Sequence, residues 1–95
     1  MTPYELKDFL AALDEWVDQE NPGQALRLAV LNWIFTRQEI PYEGVTRESG
    51  FENLWFGRVP GTEHGDGQVV VCAYWIQERE HSVRCDKFAT LSTPV

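Results

Sequence analysis

This chain lacks most of the features that would name a chemistry. Its 95 residues hold two cysteines, Cys72 and Cys85, two histidines and one methionine. No CxxC or HxxxH spacing occurs, so a zinc site has no frame, and no metal or cofactor is expected. No glycine-rich loop follows a strand into a helix, which removes the phosphate cradles of nucleotide-binding domains. No apolar run approaches the ~20 residues that span a bilayer, so no membrane association is expected. Met1 leads into a polar start without an apolar signal core, which predicts a cytoplasmic protein with reduced thiols. Positive charge is also scarce. Eight Lys and Arg face fifteen Asp and Glu, a net charge of −7. A phosphate backbone needs a basic footprint, so direct nucleic-acid binding is not expected.

What is present is enough for one folded domain over residues 1–95. Hydrophobic residues make up 43% of the chain and aromatics 13%, with four Trp, five Phe and three Tyr. Each large aromatic can bury a wide area, which helps a core of this size. The acid is concentrated at the front. Residues 1–24 carry Glu5, Asp8, Asp14, Glu15, Asp18 and Glu20 against Lys7 alone.

Two helices are predicted, over about 3–19 and 22–37. For the first, Thr2 can cap, Pro3 suits the first helical position and Glu5 can close a capping box. Leu6, Phe9, Leu10, Leu13, Trp16 and Val17 then share a stripe at helical spacing, with Asp8, Glu15 and Asp18 opposite. Asn21-Pro22-Gly23-Gln24 repeats the start signal. The second helix is apolar on two sides: Leu26, Ala29, Val30 and Trp33 on one, Leu28, Leu31 and Phe35 on the other. That pattern places it between the first helix and a sheet. Pro41 biases Ile40 away from helical angles and ends it.

Strands are predicted over about 52–59, 68–77 and 82–91. Residues 60–67, PGTEHGDG, form a loop by composition. Gln68 to Leu91 reads as a hairpin turning at Glu78-Arg79. Val70, Cys72, Tyr74 and Ile76 share one face; Val69, Val71, Ala73 and Trp75 share the other. On the return strand Val83, Cys85, Ala89 and Leu91 alternate against Arg84, Asp86, Phe88 and Thr90. This register sets Cys72 opposite Cys85, where both are expected to pack as small apolar residues. The fold class is therefore α+β: an N-terminal helical hairpin on a three- to four-stranded antiparallel meander. The outer face, with Val69, Val71, Trp75 and Phe88, has little left to cover it unless the 43–51 connection or the tail folds across. Thr93-Pro94-Val95 reads as tail.

The composition points to a small, acidic, non-enzymatic binding protein that neutralises a macromolecular partner by occupying a basic surface. In size and charge the chain is like the small acidic antagonists and immunity proteins of phages and bacteria. Its contact residues would be Asp8, Glu15 and Asp18 on the first helix and Val69, Val71, Trp75 and Phe88 on the sheet. An uncovered apolar face also fits a homodimeric assembly protein. A third reading is a small enzyme that sets His64 and Asp66 beside Cys72 or Cys85.

Overall fold

A computed structural model describes residues 2–92 of the chain. The tail Thr93-Pro94-Val95 lies outside the described residues. The architecture is α+β, with two helices on one side of a five-stranded mixed sheet. The elements in order are β1 (Glu5–Lys7), α1 (Phe9–Glu20), α2 (Gln24–Thr36), β2 (Thr46–Arg47), β3 (Leu54–Arg58), β4 (Gln68–Gln77) and β5 (Ser82–Ser92). The sheet order is β1-β5-β4-β3-β2. The three long strands form the expected meander. Two short strands extend it at the edges.

The start of the chain departs from its local signals. Glu5–Lys7 is a strand, not the first turn of a helix, and it runs parallel to β5 with Leu6 beside Val83. Backbone pairing and the burial of Leu6 on the core outweigh a capping box. The helix begins only after Asp8, which turns the chain at φ 64°. Asn21 closes α1 in the left-handed conformation, its N–H on the carbonyl of Val17 at 2.8 Å. The residue before α2 is Gly23, so Asn21 does not cap that helix.

α2 is not sandwiched. Both helices lie directly on the sheet, side by side. Trp16 of α1 is buried and its indole N–H reaches Thr90 Oγ1 of β5 at 3.3 Å. Trp33 of α2 packs edge-on against Phe88 of the same strand. Among the described residues, the second apolar side of α2 therefore has no layer above it, and Leu28 and Phe35 stand about half exposed. The end of α2 is pinned instead by a buried cation. Arg37 donates to Tyr74 Oη at 3.0 Å and to the Glu43 carbonyl at 2.9 Å, and lies over the Trp33 ring. Tyr74 in turn donates to the carbonyl of Pro41. These bonds supply the guanidinium with the acceptors that burial demands.

The hairpin carries the largest correction. Tyr74 pairs with Cys85 but Ala73 pairs with Lys87, so Asp86 is an extra residue on β5. Such a bulge reverses the alternation of faces beyond it. Val83 and Cys85 point to the helices before the bulge; Phe88 and Thr90 do so after it. Phe88, expected on the outer face, is 6% exposed, with ring centroids 6.4–6.5 Å from Phe9, Trp16 and Trp33. Leu91, expected in the core, is 52% exposed. Cys72 faces Phe88 across the ladder rather than Cys85. The two thiols remain free and buried, with their sulfurs 3.7 Å apart. Burial pushes the Cys72 thiol well above its ordinary pKa.

The bulge makes opposite demands on two neighbouring apolar residues. Phe88→Ala should lower unfolding free energy by ~3–5 kcal/mol. Leu91→Ala should stay within about 0.5 kcal/mol of the parent. Urea unfolding of the two variants checks this, and the reverse ranking would refute the register.

Candidate functional site on the open sheet face

The sheet face turned away from the helices is set by strand register. β4 gives it Val71, Ala73 and Trp75, all half-buried. β3 pairs Leu54 with Trp75, Phe56 with Ala73 and Arg58 with Val71, so those three share the face. Lys7 of β1 lies beside Arg84 of β5, and Arg84 pairs with Trp75. Lys87 stands just beyond the bulge and also borders α1 near Glu15 and Gln19. Three of the eight cations thus share one face, with a fourth on its margin.

Aromatic surface accompanies this charge. Phe56 is 41% exposed and Phe51 47%. Phe51 meets Trp75 edge-on at 5.8 Å, so the 43–51 connection covers part of the face and leaves the rest open. Beside it β2 adds an edge strand, with Thr46 opposite Phe56. Much of the α1 acid lies on the other side of the sheet. Asp14, Glu15, Asp18 and Glu20 are exposed on α1, in the layer on the other side of the sheet. Asp8 lies nearer the face, with its carboxylate 3.8 Å from the Arg84 guanidinium.

Two further clusters of polar side chains lie outside this face. At the β4–β5 turn, the carboxylate of Glu78 accepts from Tyr4 Oη at 2.7 Å and Tyr42 Oη at 2.8 Å. The Tyr4 ring stacks on His81 at 3.9 Å, and Tyr42 packs edge-on against Trp55. The Tyr4 hydroxyl, and to a lesser degree that of Tyr42, holds the Glu78 carboxyl below its usual range. Hydrogen bonding to Glu78 raises the Tyr4 phenol, and burial chiefly raises Tyr42. A groove of about 630 Å³ runs beside this clamp, bordered by Pro3, Ile40 and Pro41. At the other end of β3, the 60–67 loop forms a pocket of about 390 Å³ with Arg58, Glu63, His64 and Gln68 on its walls.

The residues singled out in the sequence are dispersed. Val71 and Trp75 lie on the open face, but Val69 is 3% exposed and Phe88 is in the core. Asp8 is tied to Arg84, Glu15 accepts from Gln19, and Asp18 is exposed on α1. The pocket beside His64 includes neither cysteine, and Cys72 and Cys85 are buried on the helix side. The thiol–histidine–aspartate grouping is therefore not assembled. Among the described residues no three His, Cys, Asp or Glu side chains gather as a metal site. No described helix is long and apolar enough to cross a membrane. Sequence reasoning missed Lys7, Arg58 and Arg84 as a group. Arg84 and Arg58 carried a signal in strand alternation, whereas Lys7 was hidden inside a predicted helix.

No protein-family model matches the chain, and no curated protein does. Among solved structures, the chain is similar to a double arginine-to-alanine variant of the E. coli toxin RelE in the free state. The TM-score is 0.61 at 14% identity, over 94% of this chain and 83% of the toxin chain. At that identity the likeness shows the fold alone. It nevertheless overturns the reading as a neutralising antagonist of the immunity-protein type. That reading rested on size and net charge, and the fold is one that a toxin takes.

The clamp gives a pH signature of defined sign. Glu78 has a lowered folded pKa, so its stabilisation is present above its unfolded value and lost as pH falls through the folded one. Tyr4 and Tyr42 have raised folded values. Their stabilisation is present below the ordinary value of 10.0 and lost as pH rises above it. Because Glu78 is solvent-exposed, the effect at neutral pH should be no more than about 1 kcal/mol. Denaturant midpoints from pH 3 to 11 should show the parent's advantage over Glu78→Gln shrinking at the acid end. Equal curves for parent and variant would remove the clamp from the stability of the fold.

Proposed function

We propose that this chain is a toxin-type protein that engages single-stranded RNA on the open face of its sheet. The observation that carries the reading is the placement of Lys7, Arg58 and Arg84 on the same face as Phe51, Phe56 and Trp75. Every base presents a π-face, and stacking on an aromatic ring contributes ~1–3 kcal/mol per base. Cations beside the rings neutralise the phosphates between bases. A sheet with exposed aromatics is a recurrent platform for unpaired RNA, whose bases can splay onto it. The likeness of fold to a toxin supports the same reading.

The reading departs from the expectation based on net charge for a physical reason. Interactions between exposed charges fade over a Debye length of ~8 Å at physiological salt. A strand on the open face meets the nearby cations more strongly than the acids of α1, which lie beyond the sheet. Those acids would disfavour RNA on the helix side and orient its approach. A cytoplasmic location belongs to this proposal, since the strand would be met there.

A fluorescently labelled RNA of about ten nucleotides tests it by anisotropy. Binding is expected at low salt. Trp75→Ala should weaken it by about 5- to 150-fold, the range that stacking of one base spans. Arg84→Ala should weaken it and reduce the salt slope by ~0.7, the value for one phosphate contact on a single strand. Absence of binding at 50 mM salt and 50 μM protein, or equal affinity of parent and Trp75→Ala, would sink the proposal.

A further inference from the structure

The groove of about 630 Å³ beside the β4–β5 turn forms where the start of the chain meets the segment after α2. Its volume is that of a small-molecule site. Its walls are held from several directions. The Tyr4 N–H donates to the Gln38 carbonyl at 2.8 Å. The Tyr4 and Tyr42 hydroxyls both donate to the carboxylate of Glu78, at 2.7 and 2.8 Å. The buried Arg37 donates to the Glu43 carbonyl at 2.9 Å, and Tyr74 donates to the carbonyl of Pro41. Both Tyr4 and Tyr42 line the groove, as do Pro3 and Ile40.

The chemistry of these walls selects a cation with an apolar body. Two lining residues are acids, Glu39 and Glu43, and no Lys or Arg lines the groove. Among the described residues neither carboxylate is paired with a cation. His81 is already engaged, its Nε2 at 2.5 Å from the Thr2 carbonyl oxygen and its ring stacked on Tyr4 at 3.9 Å. Glu78 adds a third negative charge at the hydroxyl ends of the two tyrosines. A phenol that donates to a carboxylate gains electron density, which deepens the negative potential over its ring. Cations are drawn to such ring faces. Pro3 and Ile40 supply apolar surface for methylene groups. An anion would meet only like charge here, and a neutral ligand would leave both free carboxylates unanswered.

We infer that this groove binds a linear aliphatic polyamine. Its ammonium groups lie on the Tyr4 and Tyr42 rings and beside Glu39 and Glu43, and its methylenes run along Pro3 and Ile40. A metal ion fits less well. Among the described residues no three His, Cys, Asp or Glu side chains gather to ligate one, and apolar walls give a hydrated ion nothing. The acids of α1 attract any cation, but only the groove adds aromatic rings and apolar walls to its charge. The groove lies outside the open sheet face, so the inference does not depend on the RNA reading.

An NMR titration of the isotope-labelled full chain with spermidine tests this, without RNA and at about 50 mM salt to limit screening. Saturable binding is expected with a Kd of about 6 mM or tighter, the affinity a ligand of about ten atoms reaches at low ligand efficiency. The shifts should concentrate on the amides of Tyr4, Ile40 and Tyr42. Tyr42→Leu removes an exposed ring and should weaken binding by about 2- to 30-fold, the range of a cation–π contact. Glu39→Gln with Glu43→Gln should weaken it by about twofold or more. Asp14→Asn with Asp18→Asn removes the same charge from α1 and should leave affinity within about twofold of the parent. The same spectra report the fold of each variant. Octanediol, of similar length and uncharged, should move none of these amides. No saturable binding up to about 20 mM spermidine overturns the inference. So does parental affinity in Tyr42→Leu, an α1 variant weakened as much as the groove variants, or octanediol binding as tightly as spermidine.

Discussion

One extra residue in β5 governs much of this molecule. Asp86 has no partner across the ladder, so Ala73 meets Lys87 while Tyr74 meets Cys85. Before that point odd-numbered residues of β5 face the helices; after it even-numbered ones do. The change brings Phe88 into the centre of the core, among Phe9, Trp16 and Trp33, and sends Leu91 to the surface. Without it the core would lose its central ring. The open face would gain Phe88 where Ala73 and Lys87 now leave it shallow.

The open face depends on the edges as much as on the hairpin. β1 places Lys7 beside Arg84, and the end of β3 places Arg58 beside Val71. The edge strand β1 is only three residues long, and it is held by side-chain contacts as well as backbone pairing. Leu6 packs against the core, and the Tyr4 hydroxyl bonds to Glu78 across the β4–β5 turn. The buried guanidinium of Arg37 ties the end of α2 to Tyr74 and to the turn at Glu43. That turn leads into β2 and then Phe51. The groups on the open face are thus positioned by contacts made largely on its other side.

A net charge of −7 poorly describes a protein whose charge is divided between layers. Most of the α1 acids face solvent on one side, while three cations share a face with exposed rings on the other. Screening makes that division matter, because a bound strand responds to charges within about a Debye length. The proposed RNA face follows from local rather than total charge. Size and acidity pointed toward an antagonist, whereas the fold is one shared with a toxin.

The sequence by itself determined the α+β class, two helices within the expected spans 3–19 and 22–37, the three long strands and their meander order. Those follow from hydrophobic period and from turn residues, which act over a few positions. It also determined that Val70, Cys72, Tyr74 and Ile76 make one core face. Only the tertiary structure decided the rest. The segment Glu5–Lys7 became a strand because β5 offered it an open edge, a partner far away in sequence. A bulge leaves the residue types of β5 unchanged, so alternation alone placed Phe88 on the wrong face. Arg58 joined the open face through pairing with Val71. Pairings between distant segments set these outcomes, and local patterns in a single sequence do not contain them.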